Sequence, residues 1–208
     1  MDPESFRIAV AQRVGAPVCE EHPCRCGQKM DTLGHHALSC RLSGGRIPRH
    51  AALNETLRRA FARSGCPAAL EPSGLDRGDG KRPDGMTLFP YSKGRSLVWD
   101  ATCVDTFAPS RLNDSVISPA AASKNAEEKK KRKYSELEKR FIFKPFAFET
   151  TCVFGPSTAV SVQELGRRIQ DMTGEPRETL WLKQRLQFDI LRGNSFSVVT
   201  AGGFHFKE

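Results

Sequence analysis

Residues 96–104 read SLVWDATCV, a run of apolar and β-branched side chains with one carboxylate, Asp100, at its middle. Such side chains favour extended backbone, and a run apolar at successive positions fits a central strand covered on both faces. Working outward, residues 90–94 make a turn and residues 86–89 a short strand before it. Residues 120–140 are dense in Ala, Lys, Glu and Arg and predict a helix, and residues 141–153 (FIFKPFAFETTCV) predict extended structure interrupted at Pro145. Upstream, Leu53, Leu57, Ala60 and Phe61 recur at helical spacing, and Gly65 with Pro67 stops the run. Downstream, Ser161 and Glu164 form a capping box ahead of Leu165, Ile169 and Met172. A last helix carries Leu182, Leu186 and Ile190 and ends before Gly193. Helix, strands, helix, strand and helices in that order predict an α/β layer fold.

The whole chain has 208 residues, which is about one domain or one domain plus an appendage, and its 38% apolar content can bury a core. Net charge is +8, which points to an anionic partner. No apolar stretch reaches the roughly 18 residues a membrane helix needs, and the first residues carry acids where a signal peptide carries positive charge. These features predict a soluble, intracellular protein with no membrane partner. The chain divides into an N-terminal lead (1–17), a Cys- and His-rich segment (18–48), a globular part (49–194) and a tail (195–208).

Seven cysteines are an odd number, and four of them (Cys19, Cys24, Cys26, Cys40) fall in the first forty residues. A disulfide scaffold would spread an even set, whereas a reducing compartment lets a Cys/His cluster hold metal. Cys24 and Cys26 are followed by nine residues, His36, three more residues and Cys40. Three thiolates and an imidazole suit tetrahedral Zn²⁺ with no open position, hence a structural knuckle. His35 is an alternative to His36, and Cys19 and His22 compete at the first position.

A carboxylate in an apolar strand is costly unless paired or metal-bound, and Asp100 has a candidate companion. Fifteen residues, including the turn, separate it from Asp84, so two adjacent strands bring the acids together. A divalent cation relieves their repulsion, and oxygen donors suit Mg²⁺ or Mn²⁺. Glu71 is a candidate third acid; the bland alternative pairs Asp100 with an arginine such as Arg82. Residues 124–144 hold nine Lys/Arg against four Asp/Glu, an excess of +5 that attracts phosphate. Within it, residues 129–133 (KKKRK) also read as a nuclear localisation signal, so the expected compartment is the nucleus and otherwise the cytoplasm. Lys130 and Lys133 share a helix face, with Tyr134 beside them.

These motifs, CRCG with HHALSC, GRIPRH (45–50) with Asn54, LEPSGLDRGDGKRPDG (70–85), LVWDATCVDTFAPS (97–110), the lysines before Tyr134, and FAFET (146–150), together resemble the C-terminal segment of non-LTR retrotransposon polyproteins that carry a restriction-like endonuclease. The resemblance spans residues 24–193. It implies a zinc knuckle followed by a PD-(D/E)xK mixed sheet flanked by helices, in which a metal-dependent nick in target DNA primes reverse transcription. Pro83 and Asp84 match the PD and Asp100 the second acid. Thr102 stands where the x-K lysine would be, so the lysine is displaced to the following helix, at Lys130 with Lys133 flanking. Arg49, His50, Arg82, Lys129, Lys131, Arg132 and Tyr134 are the expected DNA contacts. RNA is a second candidate ligand. The phenylalanines of 141–143 and 146–148 suggest a surface for a reverse transcriptase domain or for self-association. Two competing expectations are a retroelement remnant that binds nucleic acid without cutting it and, less favoured, a zinc-knuckle interaction module.

Overall fold

The apolar run around Asp100 is buried from Leu97 to Ala101 and again at Val104, as suits a central strand, with Thr102 and Cys103 partly exposed. In the computed structural model, which describes residues 1–75 and 82–201, the order of elements is α1 (Pro3–Val14), β1 (His22–Pro23), β2 (Lys29–Met30), α2 (His35–Ser39), α3 (Arg46–Arg63), β3 (Ala68–Leu70), β4 (Gly85–Thr87), β5 (Leu97–Val104), α4 (Pro109–Ile117), α5 (Ala121–Lys133), β6 (Ile142–Glu149), α6 (Pro156–Thr173) and α7 (Glu178–Thr200). Residues 76–81, inside the motif 70–85, and residues 202–208 of the tail lie outside the described residues.

The fold is mixed α/β. A four-stranded sheet runs β3-β4-β5-β6, antiparallel except that β5 and β6 are parallel. Alternation along β5 sends Leu97, Trp99 and Ala101 to one face, where they meet Leu53, Leu57 and Phe61 of α3, Val162 and Leu165 of α6, and Leu186 and Ile190 of α7. Val98 and Asp100 face the other way, towards α5, where Val98 packs with Tyr134 and Phe143. The same alternation that buries Trp99 thus aims Asp100 at the lysine-rich helix.

Several boundaries differ from the sequence expectation. Strand β6 is continuous through Pro145, which pairs with Asp100 in register. It tolerates proline because it is the last strand of the sheet, so the missing N–H breaks no ladder on its outer side. Helix α6 starts at Pro156, with Gly155 as N-cap, rather than at Ser161, which lies buried inside it. Helix α7 continues past Gly193 to Thr200, because that glycine is a close approach and not a terminator: a Cβ there would overlap the Arg49 side chain. The predicted helix over 120–140 ends at Lys133 and gives way to a 3-10 turn, Ser135–Lys139. Phe143, Phe146 and Phe148 are buried among α5, α3 and α6 contacts, so they form core rather than a docking surface.

The lead and residues 195–201 are also structured. Asp2 caps α1 through the Ser5 N–H at 2.9 Å, Pro3 opens the helix and Gly15 closes it at φ +69°. Ile8 and Ala11 of α1 pack with Val198 and Ala201 around Val18, Met30 and Leu38, giving the Cys/His segment an apolar cluster of its own. Among the described residues no helix is long and apolar enough to cross a membrane.

Candidate functional site

Two clusters carry chemistry. The first lies in the N-terminal segment, where Cys24, Cys26, His36 and Cys40 bring their ligand atoms within 4.8 Å of one another. Cys24 Sγ lies 3.8 Å from Cys40 Sγ, and Cys26 Sγ 3.2 Å from His36 Nε2. Tetrahedral zinc with Zn–S bonds of about 2.3 Å has S···S edges of about 3.8 Å, so the set fits that ion. Local backbone explains the gathering. The short hairpin β1–β2 turns between Cys24 and Met30, and Asp31 receives the N–H groups of Leu33, His35 and His36, which starts α2 and presents His36. Burial pushes the Cys24 thiol up to about 11, whereas the Gln28 backbone N–H holds Cys26 down at about 7. His35 is not among the four: its ring stacks on Phe107 at 3.9 Å. Cys19 donates to the Asp31 carbonyl, and His22 Nδ1 donates to the Glu20 carbonyl, so neither competes for the cluster.

The second cluster sits where β4 and β5 meet α3 and α5. Gly85 pairs with Trp99 across the strands, and Asp84 N–H donates to the Trp99 carbonyl at 2.9 Å, so Asp84 and Asp100 occupy neighbouring positions on adjacent strands. Gly85 is required there because a Cβ would collide with the Trp99 ring. Asp84 Oδ2 accepts from Ala101 N–H at 2.6 Å and pairs with His50 Nε2 at 3.0 Å. Its Oδ1 receives no hydrogen bond from the described residues. Asp100, 4% exposed, bonds Lys130 Nζ through Oδ1, with Lys133 Nζ 3.7 Å from Oδ2. Two carboxylates with a spare oxygen, flanked by two ammonium groups, are a hard donor set suited to a small divalent cation and a phosphate.

A hydrogen-bonded chain links the acids to the core. Trp99 Nε1 donates to Asn54 Oδ1 at 2.9 Å, and Asn54 Nδ2 lies 3.4 Å from His50 Nδ1, to which it donates only when that ring nitrogen carries no proton. His50 and Asn54 are four apart on α3 and present one face to the sheet. Only tertiary contact joins His50 to Asp84, thirty-four residues away. The Asp84 bond raises His50 above its ordinary 6.5. Burial alone would lift the Asp84 carboxyl, but the His50 bond and charge outweigh it and hold it below 3.8. The charged pair therefore stabilises the fold fully between about 3.8 and 6.5. Its contribution fades as pH rises through the raised His50 value or falls through the depressed Asp84 value. With divalent cations withheld, the His50 Cε1 proton should titrate above pH 6.5, and Asp84→Asn should bring the midpoint back towards 6.5. A wild-type midpoint at or below 6.5 contradicts the pairing.

The remaining expected residues divide. Lys129, Lys131 and Arg132 are exposed, and Lys131 bonds Ser157 Oγ at 2.8 Å. Arg82 is half exposed and pairs with Glu71, which takes a left-handed backbone at φ +48°. Glu71 N–H reaches the Asp84 carbonyl, yet its carboxylate points at Arg82 on the surface rather than joining the acid pair. Two expectations need correction. Arg49 is 3% exposed and cannot meet DNA: its guanidinium donates to Asn194 Oδ1 at 2.6 Å and to the Leu38 carbonyl, tying α2, α3 and α7 together. Tyr134 is 1% exposed, packed on Phe143, with its hydroxyl on the Arg82 carbonyl and Lys133 Nζ. No protein-family model matches this sequence, and no curated protein matches it.

Proposed function

We propose that the chain is a metal-dependent DNA endonuclease of the PD-(D/E)xK type, akin to the restriction-like segment of non-LTR retrotransposon polyproteins, with a zinc knuckle at its N-terminal end. The observation that carries the reading is the meeting of Asp84 and Asp100 on neighbouring strand positions with Lys130 bonded to Asp100. An ordinary buried ion pair needs one cation for one acid. Here a second acid, a histidine and a second lysine converge on the same place.

Asp84 and Asp100 would hold Mg²⁺ or Mn²⁺, which when bound supplies a water of lowered pKa and positive charge against the scissile phosphate. Lys130 neutralises Asp100 at rest and is placed to orient the attacking water and to stabilise the charge that develops on the phosphate. His50 keeps Asp84 ionised and fixes its Oδ2, which leaves Oδ1 for the cation. Lys129, Lys131 and Arg132 meet the DNA backbone without reading bases, and as an exposed basic run they also suit nuclear import. Cys24, Cys26, His36 and Cys40 would hold Zn²⁺ in a closed set that folds the knuckle and performs no chemistry.

The test is plasmid nicking by zinc-loaded protein. Supercoiled DNA should be nicked with Mg²⁺ or Mn²⁺ and not when both are omitted. Neutralising each of Lys129, Lys131 and Arg132 should reduce the salt slope of DNA binding by about 1. Salt-sensitive binding with no nicking under any divalent cation would replace this reading with a nucleic-acid-binding remnant.

A further inference from the structure

Helix α5 carries Lys130 to the acids, yet its composition gives it little to pack with. Its only buried residues are Ala122, Ser123 and Glu127. Apolar contact is confined to its C-terminal end, where the cap residue Tyr134 packs on Val98 and Phe143. Two buried carboxylates hold the rest of the helix. Glu149, at the end of β6, accepts from Ser123 N–H at 3.0 Å and from Ser123 Oγ at 2.9 Å. Glu127, 2% exposed, accepts from Ser157 N–H at 3.0 Å, Thr158 N–H at 2.7 Å and Thr158 Oγ1 at 2.7 Å.

The Glu127 seat is the first turn of α6. Those amides are helix-terminal donors with no partner inside their own helix, and the N-cap Gly155 has no side chain to offer them. A carboxylate from another element fills the role and lies at the favourable end of the α6 dipole. Thr158 Oγ1 also accepts from Ala147 N–H at 2.7 Å, which continues the network into β6. A Cβ on Gly155 would overlap Glu127 Oε1, so the glycine is what lets the carboxylate in.

Glu127 and Lys130 are three apart and share a face of α5. We propose that Glu127 is the positioning residue for Lys130: by seating α5 on the α6 N-terminus it sets where the Lys130 ammonium meets Asp100. The inference rests on the nuclease reading for its catalytic consequence. Glu127 touches α6 and acts on the reaction only through Lys130.

The experiment compares Glu127→Gln, Lys130→Ala and the double variant in Mg²⁺-dependent nicking, with Gly155→Ala as an independent way to displace the carboxylate without changing its charge. A misplaced catalytic group costs roughly 10- to 100-fold. Glu127→Gln and Gly155→Ala should lower kcat by that amount and leave the KM for DNA unchanged, because Lys129, Lys131 and Arg132 remain exposed. In the Lys130→Ala background Glu127→Gln should cost nothing more. A fold-loss that multiplies with that of Lys130→Ala, or an undiminished kcat in both Glu127→Gln and Gly155→Ala, overturns the proposal. The Lys130 ε-methylene carbon shift, read by NMR on the folded variants, separates the two layers. If the wild type does not nick but this resonance moves in Glu127→Gln, the nuclease reading fails and the positioning stands. An unmoved resonance overturns the positioning whatever the activity.

Discussion

Asp84→Asn and Asp100→Asn should each lower the single-turnover rate of Mg²⁺-dependent nicking on the order of 10³-fold, with affinity for DNA unchanged or improved. The magnitude follows from losing a metal ligand and the charge stabilisation it supports, where removal of even one transition-state donor costs about 10² to 10³ in rate. Affinity should hold because the exposed cations of α5 are untouched and one negative charge near the phosphate has gone. The two variants differ in stability. Asn at 84 keeps an oxygen for Ala101 N–H and His50 but loses the charge that pairs with His50, so it should melt somewhat below wild type wherever that pair is charged. Asn at 100 leaves Lys130, one quarter exposed, without its carboxylate, so the Asp100 variant should melt lower. Lys130→Ala should cost about 10²-fold in rate by the same charge argument. Nicking that survives either aspartate change at more than a tenth of the wild-type rate contradicts the assignment.

Removal of zinc should unfold the N-terminal segment while the sheet persists. Structural zinc contributes roughly 10–16 kcal/mol of binding free energy in small fingers, far more than a few buried side chains recover. Here the apolar cluster around Met30, Leu38 and Val198 adds support that an isolated finger lacks. The expected result is one zinc per chain, lost in Cys40→Ala and on chelation. With it, the amide dispersion of residues 18–48 collapses and the β5 and β6 signals remain. Purified protein with less than a tenth of an equivalent of zinc, or full dispersion after chelation, would falsify the knuckle. Because Arg49 ties Leu38 to Asn194, chelation should also broaden signals at the end of α7.

The parts of this protein that were legible in its sequence are those decided by local chemistry. SLVWDATCV reads as a central strand because apolar residues fill successive positions around its one carboxylate, and it is one. The Cys and His spacing marks a metal cluster because four soft ligands within seventeen residues have little else to do, and the ligand atoms do converge. Other signals were local but read at the wrong place. Gly193 looks like a helix stop until Arg49 is found pressed against it, and Ser161 looks like a cap until Gly155 and Pro156 are seen to open the helix earlier. Asp2, Pro3 and Gly15 are an adequate start and stop for α1, hidden in a stretch with no amphipathic pattern. What the sequence could not show is burial decided by distant partners. Arg49 and Tyr134 sit in basic, motif-rich segments and are interior. His50 reads as a surface contact and meets Asp84 instead. Glu127 lies among lysines as though solvated, yet it is the seat of its helix.

An acid pair that cuts DNA by metal catalysis must first hold the metal, and that can be counted without any assay of cutting. Electron paramagnetic resonance of Mn²⁺ added to zinc-loaded protein should report a bound site in the wild type that disappears in both Asp84→Ala and Asp100→Ala, with the zinc content unchanged. No bound Mn²⁺ in the wild type, or binding that both variants retain, would contradict the account at its centre.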